Sequence, residues 1–187
     1  TGAAPPSFAD HVSLPWVYGF SSLYKVFQER NLTERIVFVG SGKLGFPAKA
    51  AMAFAMGVDC INVAREAMMS IGCIQAQVCH TNKCPAGIAT QSKWRQGGIN
   101  IPLKSERLAQ YFKTFRKEFI EITHAAGYEH PCQFTMQDIQ VNVDDIDLTR
   151  NLRTTYGYNK TKVAFNGMQE LYDCQHLGGK NFIESAK

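Results

Sequence analysis

The chain has 187 residues, 45% of them hydrophobic, which is enough to bury a core of its own. Its 20 basic and 16 acidic side chains leave a net charge of +4, too dilute to grip nucleic acid. No run of about 18 apolar residues occurs, so nothing in the sequence reads as a membrane span, and no signal-peptide pattern is present.

Thr1-Gly2-Ala3-Ala4-Pro5-Pro6 is small and turn-rich, the composition of a loop passing close to something else. The first methionine is Met52, so translation does not start at Thr1 and the chain reads as a piece of a longer protein. Val17, Phe20, Tyr24 and Phe27 repeat at steps of three and four and predict an amphipathic helix over 14–30. Arg35 to Gly40 is a short apolar run, expected as a strand buried on both faces. Pro47 opens a second stripe through Ala48, Ala51, Met52, Ala55 and Met56, and Gly57 closes it. Asp59 to Val63 reads as a second buried strand and Arg65 to Ile71 as a short helix ending at Gly72. The order βαβα predicts an α/β fold with parallel strands and right-handed crossovers.

The next stretch holds three of the six cysteines. Cys73, Cys79 and Cys84 follow a C-x5-C-x4-C spacing, with Pro85 after the last. In a reducing cytoplasm, thiols this close together are usually metal ligands. Structural zinc sites favour tighter C-x2-4-C knuckles and four ligands; iron and sulfide fit better, since clusters sit on loop thiolates and a Cys-Pro step recurs in such runs. On spacing alone a cluster, zinc, and buried or disulfide-bonded cysteines all stay open. Cys60, inside an apolar strand, is expected to be a buried inert thiol, and Cys132 and Cys174 to be structural or exposed.

Beyond the cysteines, Gly97-Gly98 and Pro102 read as loop. From Ser105, Leu108, Phe112, Phe115, Phe119, Ile122 and Ala126 predict a long helix stopped by Gly127. Its basic residues Lys104, Arg107, Lys113, Arg116 and Lys117 lie among Glu106, Glu118 and Glu121 and are expected to form a solvated face. Met52, Met56, Met68 and Met69 fit core packing. Met136 to Val141 is expected to be a short helical or extended segment, and from Asp144 to Lys187 the pattern weakens into a tail expected to pack on neighbours or to fray. Two strand ends carry small or basic turns, Gly40-Ser41-Gly42-Lys43 and Ala64-Arg65-Glu66, which read either as ordinary loop chemistry or as a phosphate site offering close backbone approach, free amides and two cations.

Gly72-Cys73-Ile74, Cys79-His80-Thr81-Asn82, Cys84-Pro85 and Gly87-Ile88-Ala89-Thr90-Gln91 together resemble the cluster loop of the glutamate synthase family, most of all its stand-alone FMN-binding branch. Further matches are Gly2-Ala3-Ala4-Pro5, Ser41-Gly42-Lys43 and Asn62-Val63-Ala64-Arg65; the larger glutamate synthases carry Gly-Thr-Ala where this chain has Ala64-Arg65-Glu66.

The resemblance implies the C-terminal portion of a (β/α)8 TIM barrel: its last two β/α units, an iron-sulfur loop and a helical extension. Residues 1–91 would be barrel and loop, and 92–187 the extension and tail. It implies a [3Fe-4S] cluster on Cys73, Cys79 and Cys84, and FMN held at Gly2, Ser41, Gly42, Lys43, Ala64 and Arg65; His80, placed between two of those cysteines, is read either as a hydrogen-bond donor to a cluster sulfur or as a solvated loop residue. The reaction implied is redox: an electron enters through the cluster, FMN is reduced, and the imine of 2-oxoglutarate and ammonia takes a hydride to give glutamate. Implied partners are the upstream half of the barrel, an electron donor (a ferredoxin or an NAD(P)H-linked subunit), 2-oxoglutarate with ammonia or glutamine, and a further copy of the chain. Substrate-binding residues would precede Thr1, and so would any membrane anchor of this otherwise cytoplasmic protein. A non-catalytic metal or redox-sensing module, and an FMN enzyme with another amino donor or acceptor, are the competing readings.

Overall fold

A computed structural model describes residues 4–142 and 149–161, and their architecture is mixed α/β. The helices are α1 (Pro6–His11), α2 (Trp16–Glu29), α3 (Pro47–Met56), α4 (Arg65–Ser70), α5 (Lys93–Gln96), α6 (Ile101–Ala125) and α7 (Leu152–Tyr156). The strands are β1 (Val39–Ser41), β2 (Cys60–Asn62), β3 (Gln140–Asn142) and β4 (Thr149–Asn151). Strand β1 lies parallel to β2, with Val39 opposite Cys60 and Ser41 opposite Asn62, and α3 makes the crossover between them. Strands β3 and β4 form an antiparallel pair. No helix among the described residues is long and apolar enough to cross a membrane.

The expected βαβα order is present, but the strands are shorter and one-sided. Arg35 closes a 3-10 turn, and the strand begins only at Val39. Phe38 and Gly40 face the core while Val37 and Val39 are 61% and 56% exposed. The same alternation turns Ile61 inward and Cys60 outward, so Cys60 is an exposed thiol rather than the buried one expected. Helix α6 starts a turn earlier than expected. Asn100 Oδ1 accepts from the Leu103 amide at 3.1 Å, and Pro102 sits in the first turn, where its missing N–H costs nothing. Met69 is exposed, unlike Met56, which is fully buried.

The core is organised around α3. Ala53, Phe54, Ala55 and Met56 are all buried, so this end of the helix is enclosed on every side. Gly57 ends it in a left-handed conformation at φ 110°, and the ring of Tyr24 lies where a Cβ would be, 2.5 Å away. Tyr24 in turn packs on Phe38 and Tyr158, each with ring centroids 5.2 Å apart. Helix α6 runs along α3, bringing Phe119 to 5.5 Å from Phe54 between centroids.

Of the two outcomes expected for the tail, packing on neighbours or fraying, packing holds over 149–161; the remainder, with Cys174, lies outside the described residues. Leu152 is fully buried, and Tyr158 donates its hydroxyl to Met56 O at 2.9 Å. Lys160 Nζ donates to Phe54 O at 3.0 Å, Cys132 O at 2.5 Å and Phe134 O at 3.2 Å. The helix-terminal carbonyls of α3, which have no partner within the helix, are thereby satisfied by a segment about 100 residues away.

Replacing Lys160 by Met keeps the aliphatic stem but leaves the Cys132 and Phe134 carbonyls without their donor, while Phe54 O keeps the Gly57 amide. Unfolding in urea should detect a loss of roughly 1–3 kcal/mol, the cost of orphaned buried acceptors; an unchanged midpoint would mean that water replaces the ammonium. Asp59 generates a pH effect. Its Oδ2 accepts from the Phe38 amide at 2.8 Å, yet burial, the largest influence, holds its carboxyl above the ordinary value of 3.8. The folded state therefore keeps this proton after the unfolded state has lost it. The stability it contributes below 3.8 is lost as pH rises through the raised value, and Asp59→Asn should remove that part of the stability–pH slope.

Candidate functional site

The cysteine stretch follows α4 as an irregular loop over residues 71–92, tied at several points. The Gly72 and Cys73 amides donate to Met69 O and Met68 O at 2.9 and 3.0 Å, closing α4. A 3-10 turn at Cys79–Thr81 is fixed by Thr81 Oγ1 donating to Val78 O at 2.8 Å. Asn82 then reverses the chain at φ 62°, and its Oδ1 accepts from the Gln91 amide at 2.6 Å and from Thr90 Oγ1 at 2.9 Å. Gln96 Nε2 on α5 donates to Thr90 O at 2.7 Å. Asn82 and Thr90 thus lock the loop into a closed lobe, and Cys84 lies inside it.

Cys84 is 7% exposed. Burial pushes its thiol up, but the amides of Ala89, Ala86, Ile88 and Gly87 donate to the sulfur and outweigh that effect, so it ionises below its ordinary value. Backbone N–H groups facing one atom favour its anionic form, here the thiolate. Cys132 makes the contrast: burial raises its thiol to about 11, the property of an inert cysteine.

Cys73 and Cys79 are half-buried on the same loop, and His80 is exposed beside them. Among the described residues no three His, Cys, Asp or Glu side chains are gathered tightly enough to hold a metal ion. Cys73, Cys79 and Cys84 are three thiols on one loop, the donor set of a thiolate-bound metal, but the structure does not bring them together. Gln75 and Gln77 also adopt left-handed conformations, at φ 55° and 57°. Such strain in non-glycine residues is concentrated at functional loops, and neither glutamine carries a sequence signal that would have revealed it.

The phosphate-suited residues are brought together in part. Parallel pairing places Ser41 opposite Asn62, so the turns at Gly42-Lys43 and Ala64-Arg65 leave the same edge of the sheet. Lys43 is exposed and Arg65 half-buried, and neither forms an ion pair with another described residue. Gly42 is a glycine for another reason: a Cβ there would meet the Trp16 side chain at 2.5 Å. Glu66, buried at the start of α4, lies against Gly45, whose carbonyl accepts from Tyr111 Oη at 2.7 Å. That carboxylate helps to raise the Tyr111 hydroxyl, after burial, and opposes a phosphate at the same place. Gly2 lies outside the described residues.

The conserved region in glutamate synthase matches residues 1–129, a span that takes in both parallel strands, the cysteine loop and α6. The chain belongs to the glutamate synthase family. It is 35% identical over 145 residues to the glutamate synthase large subunit-like protein YerD of Bacillus subtilis, which covers 78% of this chain and 28% of that protein. It is 34% identical to the ferredoxin-dependent glutamate synthase of Pyropia yezoensis, over 80% of this chain and 10% of the relative. With the ferredoxin-dependent glutamate synthase of Spinacia oleracea identity is 38%, over 69% of this chain and 8% of that protein. The chain thus spans about a quarter of one glutamate synthase relative and a tenth or less of the others.

Gly87, at φ 75°, has no space for a side chain, since a Cβ would run into the Arg95 carbonyl oxygen. Gly87→Ala should strain the lobe by about 1–3 kcal/mol. Amide hydrogen exchange at Ala86 to Ala89 should then accelerate at least several-fold while α3 stays protected; unchanged protection there would mean that the lobe is not under this constraint.

Proposed function

We propose that this chain is the cofactor-bearing part of a glutamate synthase-like oxidoreductase that reduces the imine of 2-oxoglutarate and ammonia to glutamate. In this reading β1, α3, β2 and α4 are the last two β/α units of an eight-stranded barrel, completed by upstream strands that cover Val37, Val39 and Cys60. The observation that carries it is the family match over residues 1–129, which joins the parallel strand pair to a loop holding a thiolate-favouring cysteine.

Cys73, Cys79 and Cys84 would hold a [3Fe-4S] cluster, with the Cys84 amides offsetting negative charge at its sulfur. Lys43 and Arg65, with Ser41, Ala64 and Gly2, would hold the FMN phosphate, and Glu66 beneath them would limit its charge. Gly42 keeps the turn closed over Trp16. When bound, these groups supply electron uptake and hydride delivery, and the protein positions them and excludes water. The electrons would come from a ferredoxin or an NAD(P)H-linked subunit.

Full-length protein purified without oxygen should show flavin absorption and about three irons with matching sulfide per chain. Cys79→Ser should lose the iron while keeping its circular dichroism, and should fail to form glutamate from 2-oxoglutarate and ammonia. Zinc alone, or no chromophore, would overturn this reading in favour of a metal or redox-sensing module.

A further inference from the structure

Trp16, the first residue of α2, is wedged between the helix and the turn that follows β1. Its ring lies 6.0 Å from Phe20 between centroids, while its Cβ, Cγ and Cδ1 press on Gly42, all within 2.5–2.7 Å of where a Cβ would be. Nε1 is bonded to Cδ1, so the indole N–H sits at the margin of the same turn. An indole N–H is a donor only, and one so enclosed usually has a partner. This one donates to no described residue. Trp16 is half-buried, and no buried side-chain N or O among the described residues lacks a partner, so the unpaired N–H opens to solvent. The turn it borders carries exposed Ser41 and exposed Lys43, the latter left-handed at φ 59° although it has a side chain. Arg65 leaves the same edge of the sheet after β2.

A phosphate monoester presents three acceptor oxygens and close to two negative charges, so it takes several donors at once. Lys43 and Arg65 can cancel the charge, and buried Glu66 at the start of α4 opposes any excess of it. A neutral donor fixed by packing completes such a set. We propose that Trp16 is a further contact of the flavin nucleotide, its indole N–H donating to a phosphate oxygen at the Ser41–Lys43 turn. The inference rests on the reading of that turn as the FMN phosphate site. Because the ring is already held between Phe20 and Gly42, little rotamer freedom is lost when the bond forms. A side chain at position 42 would push the indole away, which ties the glycine to the same contact.

The test titrates full-length apoprotein with FMN and with riboflavin, which has the same ring system and no phosphate, following the quenching of flavin fluorescence. Trp16→Phe keeps an aromatic ring against Gly42 and Phe20 without the N–H. Incorporation of 3-benzothienylalanine at position 16 changes only the N–H, to sulfur. Each should weaken FMN binding about tenfold or more, the worth of a hydrogen bond to a charged group, and leave riboflavin binding unchanged. Equal weakening of both flavins would mark a packing role and overturn the proposal, as would unchanged FMN affinity. If the Phe variant does not fold, the benzothienyl protein alone decides. The underlying reading fails separately: wild-type apoprotein that binds FMN no more tightly than riboflavin, or a Lys43→Ala, Arg65→Ala double variant that keeps the preference for FMN, would remove the phosphate site and this proposal with it.

Discussion

The close enclosure of α3 is the constraint on which the rest of the molecule depends. Five of its ten residues are alanines, and small side chains let neighbouring backbones approach from several directions at once. Its last turn has no solvent-facing side, so its free carbonyls must find partners in the protein. Tyr158 and Lys160 provide them, and Gly57 admits Tyr24 at the same end. Helix α6 lies along α3 and continues past α4, which sets its N-terminal turn, and with it Lys104, beside Gly72. A packing decision in the core thus reaches the cysteine loop through one rigid helix.

Two cysteines show how local polarity, rather than burial alone, separates a ligand from a spectator. Cys84 and Cys132 are both withdrawn from solvent, and burial raises both thiols. Only Cys84 has four amides turned toward its sulfur, a consequence of the tight return from Cys84 to Thr90 that Asn82 closes.

Much of this was legible in the sequence where periodicity or spacing carried it. The apolar steps of α2, α3 and α6, the stop at Gly57 and the C-x5-C-x4-C run all report local geometry. Pro102 misled because a proline suits both a loop and a first helical turn, and only the Asn100 cap decides between them. The two strands looked doubly buried because their composition is mostly apolar, but alternation along each leaves Val37, Val39 and Cys60 exposed. The contacts of Lys160 and Lys104 could not be read from sequence, since they reach across 106 and 32 residues with no repeating pattern. The amide ring around Cys84 was hidden for a related reason: it is made of backbone, which side-chain identity does not encode.

Iron K-edge X-ray absorption on the anaerobically purified full-length protein tests the central claim, that the lobe at Cys73 to Gln91 holds iron through thiolates. The account predicts a first shell of sulfur alone and a second shell of iron at short range. A nitrogen or oxygen shell, an isolated iron, or no iron above background would contradict it.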